Sequence, residues 1–268
     1  MIDGAYETEL LNFLPRINRA RGWRVYDKQG NRFIDLGMDG ARAVLGYRPG
    51  LVNKYIKNAL SKGVTTPFPS VYSFKLKQAL KKWIPGLRNI VIFRDSYRLF
   101  SYLKSEMGID THSISDPALT DYASAVSYVR PFLSLPDSDF FIPVFPVPGF
   151  LLPAVLCSRK DVELPSDELA NPVLLSAMTR SVFDIILAEK KNEFWQVTLE
   201  CPDFFTQKGP YLVFAREFSD YPAVFRFFLD SGVILPVSSE LPGVFPGEIS
   251  DGELKKLQRL CLDAASRF

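Results

Sequence analysis

The stretch Arg21-Gly22-Trp23-Arg24-Val25-Tyr26-Asp27-Lys28-Gln29-Gly30-Asn31-Arg32-Phe33-Ile34-Asp35-Leu36, continuing to Leu45-Gly46-Tyr47-Arg48-Pro49, organises the first part of the chain. Aromatic and β-branched residues flank Asp27 to Asn31, with glycine where positive φ is favoured, so Trp23 to Leu36 predicts two short strands around a turn. After Pro49, Leu51, Val52, Tyr55, Ile56, Ala59 and Leu60 recur at helical spacing, and Gly63 marks the stop. A basic amphipathic helix ending near Pro85-Gly86, a strand at Asn89 to Phe93 and a helix from Ser96 to Met107 complete an αβα unit.

Further along, the spacing predicts a strand over Thr111 to Ser115 and a helix over Tyr122 to Val129. Two apolar runs, Phe140 to Phe145 and Pro153 to Ser158, predict buried strands, and a long helix follows from Asn171 to about Lys191. Tyr211 to Arg216 and Val233 to Val237 are expected strands, and Pro222 to Asp230 an expected helix. The last helix, Asp251 to Arg267, is announced by Ser250 as its cap with Glu253 three residues later. Such alternation implies a mostly parallel α/β layer for the middle of the chain, with both ends joining in a smaller α+β unit.

A chain of 268 residues with 47% hydrophobic content, 22 Phe and 11 Tyr has enough apolar surface to build a real core and is not a disordered sequence. Cys157, Cys201 and Cys261 are too scattered for a metal site, and with one histidine in the chain no metal centre is expected. They suit small buried hydrophobes in a reducing compartment. No basic-then-apolar leader is visible in Met1 to Glu7, so a cytoplasmic location is expected. Phe140 to Cys157 is uncharged and nearly long enough to span a bilayer, but Pro143, Pro146, Pro148 and Pro153 forbid a spanning helix, and a buried strand–turn–strand is expected instead.

Charge is unevenly spread. Residues 1–104 hold 19 basic and 7 acidic residues, a net +12, while the remainder holds 13 basic and 23 acidic, a net −10. Lys75, Lys77, Lys81 and Lys82 surround an apolar stripe of Phe74, Leu76, Ala79, Leu80 and Trp83, which suits a solvated helix face, and no RNA-binding or helix-turn-helix pattern accompanies them. Nucleic acid is not the expected partner.

The opening stretch resembles the N-terminal signature of class III pyridoxal-phosphate-dependent aminotransferases, of which the glutamate-1-semialdehyde aminotransferase branch is most similar. Pro85 to Ser96 resembles that family's strand leading into its "nSGxEA" phosphate turn, and Leu169-Ala170-Asn171-Pro172 its "sGNP" turn before a long helix. Gly232 to Pro236 and Ser250 to Leu254 resemble its closing strand and final helix. The resemblance runs nearly end to end, with only Ile109 to Pro136 where the family carries several strands. It implies an α/β, fold type I PLP-transferase-like architecture: 1–63 as the N-terminal part of the small domain, 64–208 as a reduced cofactor-type domain, and 209–268 as the C-terminal part of the small domain.

The same resemblance implies a degenerate site. Catalysis by this cofactor needs a lysine that forms the internal Schiff base. Laying the family pattern on Pro136-Asp137 through Arg159 puts Val144 at the lysine position, and Phe140 to Ser158 contains no lysine. Lys160 lies beyond the second strand, pointing away, and His112, the one histidine, suits a surface position. In the phosphate turn, Ser96 is followed by Tyr97-Arg98 where the family has glycine, whose backbone N–H reaches phosphate closely. The threonine that a neighbouring subunit donates in the family corresponds to Asp167, a carboxylate that would repel phosphate by roughly 1–4 kcal/mol at about 4 Å. Asp116 either matches the aspartate that pairs with the pyridine nitrogen or caps a helix before Pro117. The expectation is therefore a non-catalytic aminotransferase-like protein that binds, regulates or supports a partner, without a bound cofactor. It would form a homodimer or a heterodimer with an active aminotransferase. The alternative is an active PLP-dependent aminotransferase or aminomutase with displaced groups.

Overall fold

In the computed structural model, residues 10–47, 50–147, 152–191 and 198–268 are described. The chain forms two compact units, one from its two ends (Met1–Arg48 with Asn192–Phe268) and one from its middle (Pro49–Lys191). These divisions fall at 48/49 and 191/192, whereas the sequence places them at 63/64 and 208/209. The difference has two causes: a helix over Val52–Ser61 packs on the middle unit's longest helix, and the strand Phe205–Lys208 pairs within the end unit.

In the end unit, β1 (Ile17–Arg21), β2 (Arg24–Asp27) and β3 (Arg32–Asp35) form an antiparallel meander, and β10 (Val233–Ile234) lies parallel to β3. The predicted turn is real: the Asp27 carboxylate accepts the Asn31 backbone N–H at 2.8 Å and its side-chain amide at 2.7 Å. The Leu45-Gly46 pair also has a structural reason. Gly46 has φ +84°, which strains any other residue, and a Cβ there would sit 3.1 Å from Gly22 Cα, so the Gly22 backbone would have to give by a few tenths of an ångström. A second sheet, in the order β11 (Gly243–Val244), β9 (Tyr211–Phe214), β8 (Phe205–Lys208), is antiparallel throughout. Phe204, Phe205, Phe225 and Phe228 are fully buried in the core, each contributing about 1.5–3 kcal/mol by its removal from water. Helix α6 (Asp251–Arg267) carries the capping box expected from Ser250 and Glu253.

The middle unit is built on one sheet in the order β4 (Asn89–Phe93), β7 (Ala154–Ser158), β6 (Phe140–Pro143), β5 (Val126–Val129). β7 runs antiparallel to both neighbours, and β5 with β6 is the parallel pair. The sheet is thus mixed where the alternation predicts mostly parallel strands. The physical reason is the short link from β6 to β7, since a parallel crossover needs about a dozen residues or more. Strand residues alternate between two cores, which explains their unbroken apolar sequences. Ile90, Ile92, Phe141, Val155 and Cys157 face α1 (Val52–Ser61), α2 (Val71–Trp83) and α4 (Pro172–Lys191). Val91, Phe93, Val126, Ile142 and Leu156 face α3 (Ser96–Met107).

Phe140 to Cys157 supplies two buried strands as expected, with 148–151 of the connecting turn, Pro148 included, outside the described residues. No helix among the described residues is long and apolar enough to cross a membrane. Met1 to Glu7, the segment read for a leader, also lies outside the described residues. Two expectations between 109 and 136 are corrected. Thr111–Ser113 is a 3-10 turn, with only Ser115 bridging to Ser127, and Val126–Val129 is a strand, drawn out of its helix-compatible sequence by parallel pairing with β6. All three cysteines are buried free thiols, and burial pushes the Cys157 thiol well up.

Candidate functional site at the strand ends of the middle unit

The register of β5 and β6 sets Val129 opposite Pro143, so the next residues, Arg130 and Val144, leave the sheet side by side at its carboxyl edge. The Val144 N–H continues the pairing, donating to the Val129 carbonyl at 2.9 Å. Such edges are where open α/β sheets hold their ligands. Val144, which the family resemblance sets at the lysine position, is a half-buried valine, and its neighbour is a buried arginine committed to a carboxylate. Arg130 donates through Nε to Asp116 Oδ1 at 2.7 Å and Oδ2 at 3.0 Å, and through Nη2 to Oδ2 at 2.6 Å. The two side chains are 7% and 10% exposed. Asp116 also accepts the Ala118 N–H at 3.0 Å, capping a turn over 116–120 and not a helix. Its carboxylate is fully engaged by protein donors.

The phosphate-type corner is likewise internally neutralised. At the N-terminus of α3 the Asp95 carboxylate accepts the Arg98 N–H at 2.9 Å, occupying the end of the helix dipole with the chain's own anion. Ser96, Tyr97 and Arg98 are exposed. The Arg98 guanidinium meets Glu168 at 2.8 Å, and Glu168 also accepts the Arg94 N–H at 2.9 Å. Burial opposes the charge on Glu168, but its bonds from Arg98 and Arg94 outweigh this and hold its carboxyl below the usual range. Asp167 accepts the Ile92 N–H at 3.0 Å and pairs with Lys77 at 2.7 Å, so it serves the free edge of β4. Asn171 accepts the Val173 N–H at 2.9 Å and starts α4 with Pro172 in its first turn.

Lysine placement completes the picture. All fifteen lysines fall among the described residues, and none is buried. Lys160 lies beyond β7 and pairs with Asp139 at 2.7 Å, and His112 is exposed. A Schiff-base lysine is a desolvated amine, and no lysine here has that environment. The residues therefore do not fit a covalently held pyridoxal phosphate: no lysine is buried, and the N-terminus of α3 presents Asp95 and Glu168. Arg130, which holds Asp116, is the residue of this edge that sequence reading misses. Its signal was available as a lone charge directly after an apolar run.

No family model matches the chain. An uncharacterized protein of Borreliella burgdorferi is 24% identical over 268 residues, covering 98% of this chain and 96% of the relative. A glutamate-1-semialdehyde 2,1-aminomutase of Thermodesulfovibrio yellowstonii is 31% identical over 74 residues, 28% of this chain and 17% of the relative. Among solved structures, an ornithine aminotransferase from Plasmodium yoelii matches with TM-score 0.64 and 12% identity, covering 98% of this chain and 99% of the other. A glutamate-1-semialdehyde aminomutase from Pseudomonas aeruginosa matches with TM-score 0.62 and 12% identity, over 94% and 87%. An omega-transaminase from Sphaerobacter thermophilus gives 0.63 and 10%, over 99% and 97%.

The chain has the fold of the class III, fold type I PLP-dependent aminotransferases. At these identities the likeness extends to architecture, and the chemistry has to be argued from the site.

Proposed function

We propose that this protein is a non-catalytic aminotransferase-like protein that acts by binding or regulating a partner. The observation that carries this reading is the carboxyl edge of β5 and β6, where the aliphatic Val144 emerges beside Arg130, itself locked to Asp116; we read Val144 as standing where the family has its lysine. Restoring chemistry there would require more than one substitution, because the aspartate that would serve a cofactor ring is already saturated and the phosphate corner is closed by acids. The partner is a second copy of the chain or an active aminotransferase. Support comes from two exposed apolar side chains, Leu169, 52% accessible, in the segment that the family resemblance associates with the neighbouring subunit, and Tyr97, 77% accessible, in the first turn of α3. A cytoplasmic setting is consistent with three free thiols.

The 74-residue match to an aminomutase supports a second reading, an active enzyme whose amine comes from elsewhere on the chain. Equilibrium dialysis of the purified protein against micromolar pyridoxal phosphate separates the two. The proposal expects retention no greater than that of a protein with comparable surface lysines; saturable uptake of one cofactor per chain would favour the enzyme.

A further inference from the structure

Apart from Lys77 and Arg98, which pair with Asp167 and Glu168, the basic side chains behind the +12 charge of the N-terminal part have no role in the site above. It is concentrated further than the total suggests: from Gly40 to Arg94 there is no acidic residue, against eleven basic ones. Most of these line helix faces in water, but α2 and the start of β4 bring several to one place. A surface cleft of about 320 Å³ lies between them, lined by Phe74, Lys77, Gln78, Lys81, Arg88 and Asn89. Lys77, Gln78 and Lys81 come from one face of the helix, at i, i+1 and i+4, and Arg88 and Asn89 arrive from the strand entry.

The cations here are not equivalent. Lys77 is neutralised by Asp167 at 2.7 Å. Lys81 and Arg88 have no ion-pair partner among the described residues, and Asp167, the acid that reaches this helix face, is taken by Lys77. Asn89 spends its amide hydrogens on the Lys160 and Val162 carbonyls at 3.0 and 3.1 Å, which fixes the cleft wall. Gln78 keeps its amide available. At the rim Phe74 is 63% exposed, a bare aromatic ring beside two uncompensated charges. The volume lies at the lower end for small-molecule sites, roughly 300–1,000 Å³.

We propose that this cleft binds a small phosphate-bearing molecule with a flat apolar part, the anion meeting Lys81 and Arg88 and the flat part resting on Phe74. A guanidinium and an ammonium together suit a phosphate dianion, the first through paired donors and the second as a point charge. The site is at the amino end of β4, while the aminotransferase-type corner at Asp95 and Ser96 is at its carboxyl end. It is therefore separate from the pocket discussed above and does not depend on whether that pocket is catalytic.

The test is a ¹H–¹⁵N NMR titration of the full chain with phenyl phosphate, with phenol and inorganic phosphate as references. We expect saturable shifts centred on Phe74, Gln78, Lys81 and Arg88 to Ile90. Phenyl phosphate should bind more tightly than either reference. The surface variants Lys81→Ala and Arg88→Ala should each weaken binding about tenfold, equivalent to roughly 1.4 kcal/mol. Phe74→Ala should reduce phenyl phosphate to the affinity of inorganic phosphate, while Lys54→Ala, in the same acid-free stretch but outside the cleft, should leave it within about twofold. Shifts that stay linear to about 10 mM, or that lie elsewhere, would overturn the proposal. So would a single-stranded oligonucleotide that binds far more tightly with a steep salt dependence, because the surface would then be a nucleic-acid site.

Discussion

Arg130 holds Asp116 through three contacts of 2.6 to 3.0 Å, directly beside Val144 at the carboxyl edge of β5 and β6. Removing one member of a pair this buried leaves an uncompensated charge, which costs about 3–5 kcal/mol, whereas replacing both by apolar residues of similar volume is often neutral. We therefore expect Asp116→Asn and Arg130→Met each to lower stability in urea by several kcal/mol. The Arg130→Met/Asp116→Leu double variant should recover most of the loss. Two additive single effects in the cycle would mean that the pair is not a coupled unit.

A second ion pair makes the end unit sensitive to acid. Arg24 donates to Glu253 at 2.6 and 3.0 Å, and the hydrogen bond from Arg24 is the main cause holding the Glu253 carboxyl down at about 2, with Ser250 adding to it against the opposing effect of burial. A carboxyl depressed by folding contributes stability that is fully present above its unfolded pKa of about 4.3 and is lost as pH falls toward 2. Glu253→Gln should lower stability at pH 7 by about 1.5–3 kcal/mol and flatten the pH dependence between about 4.5 and 2. An unchanged slope in pH-dependent denaturation would remove Glu253 as its source.

The sequence was legible wherever local chemistry agreed with the final packing. Ser250 and Glu253 announced a helix start that the capping box realises, and the Asp27-to-Asn31 turn followed from its residues alone. The segment 109–136 was not legible, because its strand depends on a distant partner and carries a polar interior. Ser127 is fully buried in β5, its hydroxyl shared with Ser115 and Ser138, so the apolar alternation that marks a strand is interrupted by serines bonded to one another. The lack of lysine from Phe140 to Ser158 was visible from residue types, but Arg130's hold on Asp116 was not, since the two are fourteen residues apart and joined only by the fold.

Assembly should reflect apolar contact more than charge. With Tyr97 and Leu169 exposed, the chain is expected to form a dimer at micromolar concentration that survives 0.5–1 M salt, because exposed ion pairs are screened under those conditions and buried apolar area is not. Light scattering at low and high salt checks this. Tyr97→Glu should weaken the dimer, whereas dissociation by salt alone would assign the interface to the opposite charges of the two chain portions.

The carboxyl-edge site of β5 and β6 is expected to support no Schiff-base chemistry. The most direct measurement of this is borohydride reduction of the protein in the presence of pyridoxal phosphate, followed by peptide mapping by mass spectrometry. With every lysine outside the buried class, the account predicts substoichiometric adducts spread over surface lysines and suppressed by a competing free amine. A single stoichiometric adduct on one lysine, protected from such competition and retained when Arg88 is replaced by Ala in the separate cleft, would contradict it.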